Sequence, residues 1–480
     1  MPSSLKFSPK DQKILKDIYN FARNRGVKLY LVGGVLRDLI LKKEKANPDF
    51  DFAVKNRAIS FGRSLAYKLK AGFVALDQEH GACRAVKKIG AKTYTFDFSD
   101  FRGKGLEEDL RKRDFTINSL ALELGKVFGN KDLNNVLLDL YGARQDLKRK
   151  IIRLVNKKSF REDPLRILRA FSFAARLGFA IDREALNLAK SGKAKLVKVS
   201  FERIREELFK ILESDKAHAC LVTLDKLKIL EVIFPELKKM RGIGQGPYHH
   251  LDVKQHTLES VRQIERILEN IKDKETRDFF DAYICADRSR RQLLKLAALL
   301  HDIGKPKTLR RKKGRITFHG HERVGVVLSE GIARRLKLSN EESYSLRKII
   351  LCHLRPGYLA ESGHPTARAR FRFFRDAGKE ALSVLLLSLA DQRATQGPLA
   401  TTESRRRHEK VVRRLIRENS EKGKEKKKAR LLDGNDIMKK FKLAPSPLIG
   451  KILAELEELQ AIGKVKTRQE AFKAAARLAP

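Results

Sequence analysis

Two periods of hydrophobic spacing follow each other along the chain, and the change between them falls near residue 151. Before it, residues 48–54 alternate apolar and polar side chains with a period of two, which predicts a half-buried strand. Residues 28–32, 72–76, 83–89 and 92–98 are also typical of strands, and residues 35–41 have helical spacing. This part is predicted to be an α+β unit with a small mixed sheet and helices.

After residue 151, helical periodicity dominates to the end of the chain. A Gly- and Pro-rich stretch at residues 242–247 predicts a loop and a boundary. Residues 403–430 are rich in charge and are predicted to form an exposed helix or a linker. These changes in the sequence pattern divide the chain into four segments: 1–150, 151–245, 246–400 and 401–480.

The overall charge indicates the kind of partner. Lys and Arg outnumber Asp and Glu by 104 to 59, a net charge of +45, while 42% hydrophobic residues suffice for folded cores. A nucleic acid or an anionic membrane would fit such a charge, although abundant surface lysine also suits a thermophile. No apolar run reaches the ~18 residues of a membrane span, and the N-terminus lacks a signal-peptide core. We therefore expect a cytoplasmic protein that binds nucleic acid and no membrane.

The four cysteines are widely spaced and form no C-x-x-C pair: Cys83, Cys220, Cys285 and Cys352. This pattern favours reduced, buried thiols over a zinc site or a disulfide framework.

Two carboxylates two positions apart, Asp49 and Asp51, occupy the strand predicted at residues 48–54. Alternate residues of a strand project from the same face, so the two side chains lie together. Like charges held that close favour a cation between them, and hard oxygen ligands suit Mg²⁺ or Mn²⁺. A pair of such cations is one way to catalyse phosphoryl transfer. Taken alone, however, such a pair is more often a solvated strand edge.

Neighbouring residues add to this hypothesis. Gly33 and Gly34 follow a predicted strand and open a helix, where backbone N–H groups can approach a triphosphate. Arg37 follows one turn later and could grip phosphate, and Asp97 supplies a third carboxylate on another predicted strand. An ordinary strand–turn–helix and a turn aspartate are the simpler explanations.

Two more charged motifs follow. Residues 111–118 (RKRDFTIN) combine three cations, Asp114 and Asn118, which favours either a phosphate clamp or a capped helix start. Further on, Asp163 suits a helix N-cap before Pro164. Asp163, Arg166 and Arg169 also recur every third residue along one helical face, where a carboxylate beside arginines could read the edge of a nucleobase.

These motifs together resemble one family. The similar segments are LVGGVLRD at 31–38, DFD at 49–51, RDFTIN at 113–118, EDPLRILRAFSFAARLGF at 162–179, ERIREELFKIL at 202–212 and LLDGNDIMKKFKLAPSPLIGKIL at 431–453. In this combination and order they resemble the class II tRNA nucleotidyltransferases and bacterial poly(A) polymerases. The resemblance implies an α+β nucleotidyltransferase head (1–150), a helical neck and body (151–245) and a basic linker with a helical tail (401–480).

The resemblance also implies roles for individual residues. Asp49 and Asp51 would hold catalytic Mg²⁺ or Mn²⁺, and Asp97 would be the further acidic residue. The nucleotide-binding residues that it implies are Gly33, Gly34, Arg37, Arg113, Asp114, Asn118, Asp163, Arg166 and Arg169. Of these, Asp163 and Arg166 would select the base of CTP or ATP.

The sequence departs from the family pattern at two places. Lys112 replaces the first arginine of an R-R-D-F motif, which puts one phosphate contact in doubt. Residues 139–143 (DLYGA) replace D-P-x-G-G, which puts the flexibility of a hinge-like segment in doubt.

A second group of candidate residues lies in segment 246–400. An adjacent His301-Asp302 pair on a helix is a poor core element, because both groups need partners. His256, His301-Asp302 and Asp391, in this order, resemble the HD phosphohydrolase domain. The resemblance implies an unidentified divalent metal and phosphatase or phosphodiesterase chemistry. His321 and His353 either complete a second metal position or are surface residues.

We therefore expect a template-independent enzyme that adds CMP and AMP from CTP and ATP to the 3′ end of tRNA. The alternatives are poly(A) addition, partial addition of CC or A alone, a protein that is chiefly an HD phosphohydrolase, and a non-catalytic RNA-binding protein. The sequence leaves the oligomeric state unknown.

Overall fold

The computed structural model of the chain describes residues 5–44, 46–130, 132–361, 363–424 and 429–479. Its backbone divides into two units. The N-terminal unit comprises Met1–Leu208 and Leu227–Val232, and the C-terminal unit comprises Phe209–Lys226 and Ile233–Pro480.

A seven-stranded mixed sheet forms the centre of the N-terminal unit, with the strand order β3-β4-β5-β2-β1-β6-β7. Strands β2 and β5 pair in parallel, and the other neighbours in the sheet are antiparallel. The strands are β1 (Tyr30–Val32), β2 (Asp49–Val54), β3 (Gly72–Asp77), β4 (Ala82–Ile89), β5 (Lys92–Asp100), β6 (Leu120–Glu123) and β7 (Leu138–Asp139).

Alternate side chains of β2 lie on opposite faces of the sheet, one apolar and one acidic. Phe50 and Phe52 are each 1% exposed, and they stack on Phe96 and Phe98 of β5. The alternate residues Asp49 and Asp51 are half-buried on the other face. The prediction of a strand with one apolar face is therefore confirmed, as are the strands predicted around β1, β3, β4 and β5.

Helices surround this sheet and continue along the chain. The helices up to residue 233 are α1 (Pro9–Arg23), α2 (Gly34–Ile40), α3 (Ala58–Leu69), α4 (Leu106–Arg111), α5 (Ala143–Arg149), α6 (Ser159–Glu162), α7 (Leu165–Leu177), α8 (Arg183–Gly192), α9 (Phe201–Glu213), α10 (Ala217–Lys226) and α11 (Leu230–Ile233). A short parallel pair, β8 (Ile151–Ile152) and β9 (Ala180–Ile181), precedes and follows α7.

The rest of the C-terminal unit is mostly helical, as predicted. Its helices are α12 (Val253–Glu269), α13 (Lys274–Asp281), α14 (Arg290–Leu300), α15 (Lys305–Thr308), α16 (His321–Arg335), α17 (Asn340–Cys352), α18 (Arg355–Glu361), α19 (Ala367–Ala377), α20 (Ala381–Ala394), α21 (Thr402–Lys424), α22 (Gly434–Phe441), α23 (Pro447–Ala461) and α24 (Arg468–Ala476). Two small hairpins interrupt them: β10 (Tyr283–Cys285) with β11 (Arg288–Ser289), and β12 (Arg310–Lys312) with β13 (Arg315–Thr317).

The leucine-rich helix α20 is buried along residues 381–390 and packs against α12 and α21. Across the described ranges, no helix is both long and apolar enough to cross a membrane. The run of leucines in α20 therefore serves the core of the C-terminal unit.

The basic segment predicted as an exposed helix or a linker is the long helix α21, and it is only partly exposed. Val411, Val412 and Leu415 on one of its faces are buried, and the helix packs against α18 and α20. The predicted helix is confirmed, and one of its faces is buried because apolar residues recur at helical spacing among the arginines. The end of the segment, residues 425–428, lies outside the described residues.

The C-terminal helices form a small core of their own. Leu432, Ile437 and Ile452 belong to its buried apolar cluster. A buried carboxylate of α23, Glu458, accepts hydrogen bonds from Arg368 and Arg372 of α19. The paired charges join this tail to the helices before it.

A close approach of backbone to backbone fixes the start of α16. A Cβ atom added to Gly304 would overlap the carbonyl oxygen of His321 and lie 2.7 Å from the amide nitrogen of Gly325. The glycine is needed because the obstructing atoms belong to the backbone and cannot rotate away.

We predict that Gly304→Ala lowers the free energy of unfolding by about 1–3 kcal/mol, the usual cost of overpacking. Gly331→Ala is the control, because Gly331 lies within α16 and an added Cβ would meet no atom within 4 Å. We expect the control to raise the free energy of unfolding by about 0.5–1 kcal/mol through helix propensity. Urea denaturation measures both. Equal effects of the two substitutions would contradict the close approach.

Candidate functional site

Three carboxylates meet where the parallel strands β2 and β5 pair. Asp51 is directly opposite Asp97 in the register, and Asp49 lies two residues earlier on β2. One oxygen atom from each of the three side chains lies within 4.8 Å of the others. The structure therefore brings together the three carboxylates that the sequence suggested, in a geometry that could hold a metal ion.

An arginine on the next strand holds the third carboxylate. Arg84 of β4 is paired with Asp97 in the sheet, and its Nε and Nη2 donate to the two carboxylate oxygens at 2.7 Å each. These bonds raise the pKa of Arg84 despite its partial burial. A bidentate pair of this kind fixes the plane of the carboxylate. Sequence reasoning missed Arg84 because only the strand pairing brings it to Asp97.

The predicted glycine turn lies beside these carboxylates. Gly33 caps the N-terminus of α2 with a φ of 75°, a conformation that glycine adopts at little cost. A Cβ atom at this position would lie 3.2 Å from Oδ2 of Asp51 and 3.1 Å from Nη1 of Arg113. Gly34 is the first residue of α2. Gly33 itself is buried, and its backbone N–H donates to the carbonyl oxygen of Leu120 at 3.4 Å. The turn thus places the start of α2 next to a carboxylate and a guanidinium.

Arg113 is oriented by a carboxylate that sequence reasoning missed. Its Nε and Nη2 donate to Oδ2 of Asp109 at 3.2 and 3.1 Å, and Asp109 is fully buried. Burial lowers the pKa of Arg113 although Asp109 and Asp51 favour its charge. Burial also opposes the charge of Asp109, but Arg113 and Arg102 outweigh it and keep the pKa of Asp109 low. The signal available in the sequence was Asp109 four residues before Arg113, one helical turn away.

Arg37 lies in a buried network. Its Nε donates to Oδ1 of Asp38 at 2.8 Å, and its Nη1 donates to Oδ1 of Asn118 at 2.7 Å. The guanidinium also lies 5.2 Å from the ring centre of Phe173. This arrangement connects two of the predicted nucleotide-binding residues, Arg37 and Asn118. The guanidinium of Arg37 therefore already bonds to groups of the protein.

The same network continues to Asp114. Arg169 donates to Oδ2 of Asp114 from Nε and Nη2 at 2.9 and 2.7 Å, and Asn118 donates to Oδ1 at 3.1 Å. Burial raises the pKa of Asp114, but Arg169, Asn118 and the backbone N–H of Phe115 outweigh burial and lower it. The charged motif at residues 111–118 and the arginines of α7 thus form one connected group.

Asp163 and Arg166 have separate partners. Asp163 accepts from the backbone N–H of Leu165 at 3.1 Å and from Nη2 of Arg203 at 2.8 Å. Arg166 donates to the hydroxyl of Ser159 at 2.8 Å and to the carbonyl of Lys112 at 2.9 Å. Asp163 performs the capping role that was predicted, although α7 begins at Leu165 and Pro164 takes the cap position. The carboxylate lies just outside the helix that carries Arg166 and Arg169.

The histidines of the C-terminal unit form two adjoining groups of possible metal ligands. His256, His301 and Asp391 compose one group, and Asp302, His321 and His353 compose the other. His301 Nε2 lies 3.3 Å from Asp302 Oδ2, and His321 Nε2 lies 3.3 Å from Asp302 Oδ1. Asp302 therefore faces both groups. The alternative that His321 and His353 are surface residues is wrong, because they are 6% and 1% exposed.

Backbone carbonyls orient three of these imidazoles. Nδ1 of His301, His321 and His353 lies 2.9, 2.9 and 2.6 Å from the carbonyl oxygens of the residues three positions earlier in each case. Such a contact places the proton on Nδ1 and leaves the Nε2 lone pair for a ligand. Nε2 of His301 is buried and has no hydrogen-bond partner. This unsatisfied atom and the carboxylates around it fit a bound cation.

The charges in this cluster lead to the same conclusion. Burial lowers the pKa of His301, but Asp302 and Asp391 outweigh it and raise that pKa to about 10. Burial and the neighbouring rings of His301 and His321 lower the pKa of His353 to about 3. The buried carboxylates thus require a nearby positive charge, which a metal ion can supply in place of a proton.

Lys305 and Gln245 extend the cluster, and sequence reasoning did not select them. Nζ of Lys305 lies 2.6 Å from Oδ2 of Asp302 and donates to Oε1 of Gln245, also at 2.6 Å. Gln245 belongs to the loop predicted at residues 242–247. This loop therefore lies at the histidine cluster.

Comparison with known proteins gives three domain matches. Residues 29–153 match the family model of the poly A polymerase head domain, and residues 253–396 match that of the HD domain. Between them, residues 178–240 match the model described as "Probable RNA and SrmB- binding site of polymerase A".

Relatives of known activity match nearly the whole chain. The A-adding tRNA nucleotidyltransferase of Deinococcus radiodurans is 33% identical over 449 residues, which cover 92% of this chain and 93% of the relative. The CC-adding tRNA nucleotidyltransferase of Thermus thermophilus is 29% identical, with 92% and 91% covered. The solved Thermotoga maritima CCA-adding enzyme complexed with tRNA has the same fold, with a TM-score of 0.65 at 20% identity over 98% of this chain and 97% of that chain. The sequence identity over nearly the full length shows that this chain is an enzyme of the tRNA nucleotidyltransferase family.

Proposed function

We propose that the chain transfers CMP and AMP from CTP and ATP to the 3′ end of tRNA without a nucleic-acid template. The observation that carries this proposal is the cluster of Asp49, Asp51 and Asp97 beside the turn at Gly33 that opens α2. Clustered carboxylates next to a glycine turn supply the two things that nucleotidyl transfer needs, a cation site and a place for phosphates.

In the proposed reaction, the 3′-hydroxyl of the RNA attacks the α-phosphorus of the nucleotide. A new P–O bond forms in line with the breaking bond between the α-phosphorus and the bridging oxygen. Pyrophosphate leaves with that electron pair, and the hydroxyl proton passes to water. Asp49 and Asp51 would hold divalent cations, Mg²⁺ or Mn²⁺, with Asp97 as the third ligand. Such cations lower the pKa of the attacking hydroxyl and stabilise charge on the leaving oxygen.

The nucleotide would lie beside α2 and α7. The backbone N–H of Gly34 and the guanidinium of Arg113 would contact the phosphates, and Gly33 would shape the turn that presents them. Asp163 would accept from a base edge, because its carboxylate is 29% exposed. Arg37, Asp114, Asn118 and Arg169 would take a supporting role, since they bond to one another within the fold. Arg166, whose guanidinium bonds to Ser159 and to the carbonyl of Lys112, would donate to the base beside Asp163.

The tRNA would bind chiefly through its backbone. The net charge of +45 suits phosphate contacts by shape and charge. We propose the domain division into head (1–150), neck and body (151–245), HD domain (246–400) and tail (401–480), which the matched ranges 29–153, 178–240 and 253–396 support. A cytoplasmic location follows from a tRNA substrate.

Partial addition is a second candidate function. The relatives from Deinococcus radiodurans and Thermus thermophilus, which this chain matches over 92% of its length, are A-adding and CC-adding enzymes respectively. Addition of A alone or CC alone by this chain would make it one of two enzymes that act in sequence.

Hydrolysis of phosphate esters by the HD domain is a further candidate. The two adjoining ligand groups could hold one or two divalent ions, and Lys305 offers a cation for a phosphate oxygen. Imidazole and carboxylate ligands together suit Mn, Fe, Ni, Zn or Mg.

We predict that Asp49→Ala and Asp51→Ala each lower the rate of nucleotide addition at least about a thousandfold, because the cation site loses a ligand. Binding of tRNA, measured by filter retention, stays unchanged because phosphate contacts lie elsewhere. Asp77→Ala is the control, since Asp77 is an exposed carboxylate at the end of β3. Wild-type rates in either of the first two variants would contradict the cation site.

The number of nucleotides added is measured with tRNA lacking its last three nucleotides and with tRNA lacking only the last. We expect three additions to the first substrate with CTP and ATP together, and two with CTP alone. An A-adding enzyme would extend only the second substrate, a CC-adding enzyme would stop after two, and a poly(A) polymerase would ignore CTP. Any of these three outcomes would replace the CCA assignment.

The histidine cluster is tested by its metal content after purification in buffer with added MnCl₂. We predict bound metal in the wild type and its loss in His256→Ala and His321→Ala, which remove one ligand from each group. His319→Ala retains the metal because His319 is exposed between the ligands in sequence. Saturating metal should raise the free energy of unfolding by about 2.7 kcal/mol at a concentration of 100 Kd. Equal metal content in all four proteins would contradict the site.

A further inference from the structure

The sheet face that carries the carboxylates continues across two more strands to the edge of the sheet. One row of directly paired residues runs from Asp51 on β2 through Asp97 on β5 and Arg84 on β4 to Val74 on β3. Directly paired residues of neighbouring strands project from the same face. The side chains of this row therefore form one surface, with the carboxylates at its inner end.

Apolar side chains stand exposed on the outer part of this face. Val86 pairs with Thr95, which in turn pairs with Asp49, so Val86 belongs to the row beside the first. Val74 and Val86 on this face are 49% and 37% exposed. Leu76, which lies beside them at the irregularity in the β3–β4 pairing, is 51% exposed. The opposite face of β4 carries Cys83 and Ala85, which are buried. Exposed valine and leucine in a cluster, next to a candidate catalytic site, indicate a surface that another molecule covers.

Positive charge borders the apolar side chains. The side chain of Arg84 is 42% exposed at the inner end of the surface. Lys88 is exposed on the same face and pairs with Thr93 of β5. An apolar floor with cations beside it complements a nucleoside, whose base has two apolar faces and whose flanking phosphates are anionic.

We propose that the β3–β4 shelf, formed by Val74, Leu76, Arg84, Val86 and Lys88, binds the 3′-terminal nucleoside of the acceptor RNA. This inference rests on the proposed nucleotidyl transfer. Neighbouring strands are about 4.8 Å apart, so the shelf begins about one strand spacing from Asp97. A base lying on Val74 and Val86 would direct its ribose 3′-hydroxyl towards the carboxylates, on the side opposite the Gly33 turn.

Arg84 forms a bidentate pair with Asp97, and we propose that it also contributes to the shelf. Its guanidinium lies between the apolar side chains and the carboxylate cluster, so it separates the base from the acidic residues. The terminal phosphate of the RNA would contact the exposed edge of this guanidinium.

A second copy of this chain is the alternative occupant, because β3 is an edge strand and could pair with another edge. Such pairing would use the backbone of β3. Residues on the face of β4 would lie outside it. The continuity of the shelf with the carboxylates favours the RNA.

The first experiment replaces the three apolar side chains together, as Val74→Ser, Leu76→Ser and Val86→Ser in one protein. We expect the KM for acceptor tRNA to rise about tenfold, equal to about 1.4 kcal/mol of lost contact, with the KM for the nucleotide unchanged. Ile89→Ser is the control, because Ile89 is 39% exposed on the opposite face of β4. Thermal melting verifies that the variants fold.

An unchanged KM for tRNA in a folded triple variant would overturn the proposal, as would a change in oligomeric state with wild-type kinetics. Failure of the proposed function itself looks different, because the wild type and the Ile89→Ser control would then also add no nucleotide.

The second experiment needs no turnover. An acceptor RNA that ends in 4-thiouridine is irradiated with the wild-type protein, and the crosslinked peptide is identified by mass spectrometry. We expect the crosslink within residues 72–89. A crosslink confined to other parts of the chain would overturn the proposal.

Discussion

Repulsion among three carboxylates at the junction of β2 and β5 is the constraint on which the head of this protein depends. Asp49, Asp51 and Asp97 lie on one face of the sheet because the parallel register leaves them no other place. On the opposite face, Phe50 stacks on Phe96 and Phe52 on Phe98. Burial of each phenylalanine contributes on the order of 1.5–3 kcal/mol, which holds the strands together against the repulsion. Arg84 supplies a positive charge to Asp97. It does so from β4, which lies on the side of β5 away from Asp49 and Asp51.

The histidine cluster also holds possible metal ligands close together, but it does so through hydrogen bonds to the backbone. Backbone carbonyl oxygens hold three imidazole rings by Nδ1, so the ring orientations are set before any ligand arrives. Asp302 then faces both ligand groups from the centre. Both sites thus hold anionic or lone-pair-bearing atoms close together, and the surrounding core keeps them there. A cation bound among such atoms is strongly stabilised.

Local patterns predicted a large part of this structure. The period-two alternation at residues 48–54 was enough to place Asp49 and Asp51 on one face of a strand, and the glycine turn at Gly33 was visible as a break between two patterns. The change to helical spacing near residue 151 likewise separated the sheet from the helices. These features depend on neighbours within a few residues, which a sequence displays directly.

Contacts between distant parts of the chain could not be predicted in this way. Asp163 has Arg203 as its partner, 40 residues later, where the helical spacing had suggested Arg166. Arg37 is engaged by Asn118, 81 residues later. The adjacent residues His301 and Asp302 were predicted on a helix, but they lie in the turn after α14 and fall into different ligand groups. Such pairings follow from tertiary packing, and spacing alone does not encode them.

The central claim is that the carboxylates of β2 and β5 jointly bind divalent cations beside the glycine turn. Crystals of the protein grown with MnCl₂ and a non-hydrolysable CTP analogue, measured at a wavelength where manganese scatters anomalously, test it most directly. The account predicts an anomalous peak about 2.1 Å from oxygen atoms of Asp49 and Asp51, with the triphosphate against Gly33. A triphosphate bound elsewhere, or manganese absent from these carboxylates while the nucleotide is present, would contradict it.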